Sequence, residues 1–164
     1  MRCRRRSIFA AFVLSLPLMC ALSLATSGQS GSVDALVADL PRGFVGEFQW
    51  DNDRTIQKIA FRFRTVRRID AEHAEALGCG SYNTAGEVTS IDVRMQVTLP
   101  GLQVEIWESA PNTADFVTDG SHRGRLSRDF AAIDAEWTTL ITGQRGRLRL
   151  RAAPGAQCAA SDST

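Results

Sequence analysis

Side chains able to do chemistry are sparse in this sequence of 164 residues, whose only histidines are His73 and His122. His73 has Asp70, Glu72 and Glu75 as close neighbours, and His122 follows Asp119. A metal site needs such groups to converge in space with a supporting outer set of hydrogen bonds, which nearness along the chain does not supply. Both histidines are therefore read as solvated surface residues, and neither a metal site nor a cofactor is expected. Asp51, Asn52 and Asp53 offer oxygens, but the other ligands and the closing glutamate of a calcium loop are missing, so they read as a hairpin turn. No nucleophile stands in a strand-to-helix elbow, and no CxxC pair occurs. No catalytic residue is assigned, and an enzyme, a hydrolase or one of another class, is the third functional reading.

The aromatic and cationic residues offer recognition rather than catalysis. Phe44, Phe48 and Trp50 share one parity, as do Ile59, Phe61 and Phe63, and Trp137 is in phase with Ile133. On alternating strands this places Trp50 and Trp137 on the apolar face, and Phe44, Phe48, Trp50, Phe61 and Trp137 are the candidate lining of a ligand pocket. Trp107 is out of phase with Leu102, Val104 and Ile106, which makes it the candidate contact residue of an outer surface. Arg62 and Arg64, with Arg147 and Arg149, would add a basic stripe to that surface if the first and last strands lie together. Cross-strand pairing with Glu47, Glu105, Glu108, Asp134 and Glu136 is the competing expectation, and the favoured one.

The elements that must position these residues begin with a hairpin across 43–66, whose polar turn Asp51-Asn52-Asp53-Arg54 separates two strands with one apolar face each. A lone hairpin cannot cover that face, so the rest of the chain must close over it. Ile91, Val93, Met95 and Val97 alternate with polar residues in a later strand. Leu102, Val104 and Ile106 do the same after the Pro100-Gly101 turn, and Leu148 and Leu150 follow the turn at Gly143-Gln144-Arg145-Gly146. Residues 116–126 read as one bent or interrupted strand, and 70–77 as either a helix or the start of a strand. Val33, Leu36, Val37 and Leu40 recur at helical spacing behind Ser32 or Asp34 as cap, with Pro41 as stop. The fold expected is all-β: an antiparallel up-and-down meander of about 7–8 strands closing as a small barrel, with a short N-terminal amphipathic helix. A two-sheet sandwich uses similar alternation and is the alternative.

Residues 1–27 read as a secretory signal, because Arg2, Arg4, Arg5 and Arg6 precede an uncharged apolar run that ends in small residues near Ser23 and Ala25. That run is long enough to anchor if uncleaved, but Pro17 and the polar linker after it favour cleavage. Met19 before Cys20 departs from the small residue a lipid-attachment site wants. Residues 28–152 then form a single barrel domain, and 153–164 a flexible tail. The whole chain has 19 Lys and Arg against 18 Asp and Glu, so without the N-terminal arginines it is mildly acidic, and no nucleic-acid partner or stable membrane span is expected of the mature chain. Cys3 and Cys20 leave with the signal, and in an oxidising compartment the remaining pair, Cys79 and Cys158, is expected to form a disulfide that pins the tail to the body.

Residues 124–151, GRLSRDFAAIDAEWTTLITGQRGRLRLR, resemble the closing hairpins of small exported barrels of the lipocalin and avidin type, the calycin-like barrels. Gly46-Glu47-Phe48-Gln49-Trp50 is similar to their Gly-x-Trp first strand, with Phe48 where Trp would stand, and Ala135-Glu136-Trp137 has alanine in place of glycine. The resemblance implies a barrel and leans toward a noncatalytic, periplasmic or secreted binding protein for a small apolar or mixed-polarity ligand. The alternative is a surface-acting protein with a filled core, whose partner is an extracytoplasmic protein or polysaccharide.

Overall fold

The computed structural model describes residues 32–110 and 116–158. The segment read as an export signal and residues 159–164 lie outside the described residues. Ser32 starts the chain's one described helix, α1 (Val33–Asp39), its side-chain oxygen accepting from the Ala35 N–H at 3.1 Å. So short a helix has little stability of its own, and its persistence depends on docking. Val33, Leu36 and Leu40 are buried in the main core, and α1 packs against the strands that follow. No helix among the described residues is long and apolar enough to cross a membrane.

Eight strands follow: β1 (Gly43–Trp50), β2 (Gln57–Arg68), β3 (His73–Thr84), β4 (Glu87–Thr98), β5 (Gln103–Ser109), β6 (Gly120–Leu126), β7 (Ala132–Thr139) and β8 (Arg145–Ala152). Each pairs antiparallel with the next, and β8 pairs with β1, so the meander closes as a barrel. The sandwich is thereby ruled out. Residues 73–84 form one strand, which settles the helix-or-strand ambiguity at 70–77, and the bent region condenses to β6.

The inward positions fall where alternation puts them. Phe44 and Phe48 of β1, Ile59, Phe61 and Phe63 of β2, Ile91, Val93, Met95 and Val97 of β4, and Leu148 and Leu150 of β8 are all buried. β3 answers the phenylalanines with small residues, Ala74, Ala76, Gly78 and Gly80. A Cβ on Gly80 would lie 2.7 Å from Phe61 Cδ1, so the ring occupies the volume that any side chain there would need. β2 changes register between Phe63 and Thr65, a bulge that shifts the phase beyond Arg64.

The two ends of the barrel differ. At one end α1 and the 69–72, 99–102 and 127–131 connections close over Leu36, Phe44 and Phe63; at the other the 51–56, 85–86 and 140–144 turns surround a mouth. The tail turns back over the outside at the closed end. Ala153 N–H donates to Gly43 O, the Arg62 guanidinium donates to Pro154 O at 2.8 Å, and Cys158 is bonded to Cys79 with Cα atoms 5.9 Å apart. Gly43, Arg62 and Cys79 form one cross-strand row, so residues 153–158 strap the closure from β8 across β1 and β2 to β3.

Leu36 is fully buried, whereas Leu140 on the β7–β8 turn is 83 % exposed. Leu36→Ala is expected to cost about 2–5 kcal/mol through lost burial and a residual cavity. Leu140→Ala should change stability by no more than about 0.5 kcal/mol. Urea denaturation of the two variants compares them directly, and equal midpoints would show that α1 is not part of the core.

Candidate functional site

At the mouth lies a cup of about 140 Å³ lined by Phe48, Trp50, Gln57, Tyr82, Glu108, Phe116, Val117 and Trp137. Its shape comes from one row of the barrel. His122 on β6 stands opposite Trp137 on β7, Trp137 opposite Gly146 on β8, and Gly146 opposite Trp50 on β1. The glycine between the two tryptophans is where Phe48 lies: a Cβ on Gly146 would come within 2.2 Å of Phe48 Cζ. Phe48 so placed meets Trp50 edge-on at 5.0 Å, Tyr82 at 6.1 Å and His122 at 5.6 Å between ring centroids, each pair nearly perpendicular. Such edge-to-face contacts are the favourable geometry for aromatic quadrupoles.

Polar groups meet behind these rings. The Tyr82 hydroxyl donates to both oxygens of Glu108, at 2.8 and 2.9 Å, and His122 Nε2 is 3.0 Å from Glu108 Oε1. Against an ionised Glu108, which only accepts, Nε2–H is the donor of this contact. The side chains of Glu108 and His122 are 2 % and 0 % exposed. Burying a carboxylate costs several kcal/mol of lost hydration, which these two donors offset in part. Among the described residues no lysine or arginine pairs with Glu108. Two further polar atoms, His122 Nδ1 and Trp137 Nε1, are buried without a hydrogen-bond partner. Burial pushes the Tyr82 phenol well above its ordinary range, and the Glu108 charge and hydrogen bond push it the same way.

The structure brings together Phe48, Trp50 and Trp137 from the expected lining and separates Phe44 and Phe61, which pack with Phe63 toward the closed end and do not border the cup. Trp50 is only half-buried at the mouth, and so is not the core residue its phase suggests. Trp107 stands on the outer face, half-buried, with the Arg94 guanidinium 4.2 Å from its ring centre. The arginines form no single stripe, since β1 lies between β2 and β8. Arg64 approaches Asp92 at 3.9 Å, Arg149 approaches Asp134 at 3.6 Å, Arg147 faces Glu136 across β7 and β8, and Glu47 pairs with Lys58. Cys79 and Cys158 form the expected disulfide.

Two expectations are corrected. His122 is not a surface histidine but a core one, because β6 turns it inward; the flanking Gly120 and Gly124 instead allow close approach of β7, where a Cβ would meet Thr138 O and Asp134 O. Glu108 does not neutralise the outer arginines with Glu105. The two are an odd number of residues apart and so lie on opposite faces: Glu105 pairs outside with Arg123 at 2.8 Å, and Glu108 follows Val104 and Ile106 inward. That parity was readable, and it was the available clue to the site. His73 is half-buried, its Nδ1 2.8 Å from Asp70 Oδ1, and the described residues hold no group of three His, Cys, Asp or Glu placed to bind a metal.

Tyr82 is the only tyrosine of the chain, so tyrosinate absorbance reports it alone. A raised folded-state value means that the neutral phenol stabilises the fold below the ordinary phenol range, near pH 10, and that this contribution is lost as the pH rises beyond it. Alkaline titration is expected to show no tyrosinate at about pH 10 in the folded protein, and its appearance only with unfolding; an ordinary titration curve with the fold intact would contradict the buried Tyr82–Glu108 bond.

No protein-family model matches the chain, and a search of curated proteins finds no match either.

Proposed function

We propose that the protein is a noncatalytic binding protein that holds a small ligand of mixed polarity in the cup at the barrel mouth. The observation that carries this reading is the buried Glu108 carboxylate, held by Tyr82 and His122 beside an aromatic space. A fold stabilised by packing alone gains nothing from that charge, and buried titratable groups in a cleft are typical of functional sites. The unpartnered indole N–H of Trp137, which borders the cup, is a second reason to expect a polar ligand atom. At about 140 Å³ the space is well below that of sites for drug-sized ligands, so it suits a small molecule or one end group of a larger one. The calycin-like architecture and the resemblance over residues 124–151 lean the same way. Catalysis is the weaker reading, since Glu108, His122 and Tyr82 are buried and engage one another.

A second reading, contact with an extracytoplasmic protein or polysaccharide, draws on Leu140 and Ile141, each 83 % exposed on the turn beside the mouth. Export is part of both. It is supported by the arginine-rich start, the apolar run after it and a disulfide of the kind that persists in oxidising compartments.

Intact-mass analysis of protein from the extracytoplasmic fraction is expected to show loss of about 25–28 N-terminal residues, and retention of Met1 would sink the cleaved-signal proposal. For binding, a fragment library screened by amide and indole NMR should perturb Trp50 and Trp137 and leave Trp107 unmoved. Hits that act equally on a Trp50→Ala variant, or only at Trp107, would transfer the function to the outer surface.

A further inference from the structure

Resting on the mouth-binding reading, we propose that the cup selects a small organic cation, a methylated ammonium head group in particular. Three features of the wall point to this chemistry together. Phe48, Trp50, Tyr82, Phe116 and Trp137 supply five aromatic rings around one space of about 140 Å³. Ring faces carry negative potential, and a desolvated cation among them is held far better than at an open surface. Glu108 adds a formal charge of the matching sign to the same wall. Its partners are the Tyr82 hydroxyl and His122 Nε2, and no lysine or arginine among the described residues pairs with it, so a ligand cation would be its one partner of fixed charge. Its low exposure keeps solvent from screening it.

The alternatives fit less well. An anion would meet Glu108 across a dry wall, at the cost of like-charge repulsion. A neutral apolar ligand would cover the carboxylate without compensating it. Among cations the hydrogen-bonding capacity of the wall discriminates further. Both Glu108 oxygens already accept from Tyr82, and Oε1 also accepts from His122. The Gln57 side-chain nitrogen is engaged with Thr84 at 3.0 Å. A primary ammonium brings three N–H donors that need acceptors in place of water; Glu108 Oε2 and Gln57 Oε1 offer two at most, and the rings provide none. A quaternary or trimethylated ammonium brings none and presents a diffuse positive surface to rings and carboxylate, while the acceptor that the Trp137 indole N–H lacks must come from the rest of the ligand, as the hydroxyl oxygen of choline could supply.

The test compares choline with its uncharged carbon isostere, 3,3-dimethylbutan-1-ol, on the folded chain, read by tryptophan fluorescence and by indole NMR. Choline is expected to bind saturably, with shifts at Trp50 and Trp137, and about tenfold more tightly than the isostere. Glu108→Gln should abolish that preference. Trp50→Ala, at the half-exposed rim where the fold is least at risk, should weaken choline binding while the circular dichroism spectrum is kept, so the inference stays testable if Glu108→Gln fails to fold. Equal binding of choline and the isostere at the mouth would overturn the cation inference and leave the mouth-binding reading standing. Choline binding untouched by both variants, or no binding of choline at millimolar concentration, would also overturn it; the fragment screen decides the broader reading independently.

Discussion

Everything in this molecule depends on the pairing of β1 with β8. Antiparallel neighbours joined by short turns make a sheet with two open edges, and such edges invite association with other chains. Hydrogen bonding from Phe44 to Ala152 at one end through Trp50 to Gly146 at the other removes both edges at once. It also bends the sheet so that one face of every strand becomes an interior. The tail secures the same seam from outside, with Ala153 on β1, Pro154 on β2 and Cys158 on β3. In the chain-entropy view, a covalent link between residues 79 positions apart stabilises mainly by restricting the unfolded chain. Its placement across the closure couples that restriction to the joint on which the barrel relies.

Closure gives an interior whose content changes along the axis. Toward α1 it is wholly apolar, with Phe44, Phe61, Phe63 and Met95 packed against the small residues of β3. Toward the mouth a polar layer interrupts it. Phe48 stands at the start of that layer, edge-on to Trp50, Tyr82 and His122. The apolar layer carries the stability that permits the polar layer to be uneconomical, with a buried carboxylate and two unpartnered nitrogens. This division of labour between a packed end and a costly end is what directs functional attention to the mouth.

The outer face follows a different logic. Its charges are interleaved across strands, Glu47 with Lys58, Glu75 with Arg67, Glu105 with Arg123, Asp134 with Arg149. Exposed pairs of this kind add little stability each. Their effect is to interleave the two signs along the strands that carry them.

Much of the fold was legible in the sequence. Alternation at Phe44, Phe48 and Trp50, at Ile91 to Val97 and at Leu148 and Leu150 determined which residues face inward, and the short turns determined an antiparallel order. Val33, Leu36 and Leu40 behind Ser32 determined the helix, and the two cysteines left after the N-terminal segment determined the disulfide. Strand alternation has a period of two, so it assigns a side of the sheet and nothing more. Height along the barrel axis is set by register and by irregularities such as the β2 bulge, which depend on all eight strands closing together. That is why Phe44 and Phe48, identical by parity, belong to different layers, and why Tyr82, Glu108 and His122, each turned inward from a separate strand, meet only in the closed barrel. Parity with Val104 and Ile106 was enough to place Glu108 on an inner face; only the tertiary structure turned His122 inward and decided that Tyr82, Glu108 and His122 share one level, because that level is the result of closure.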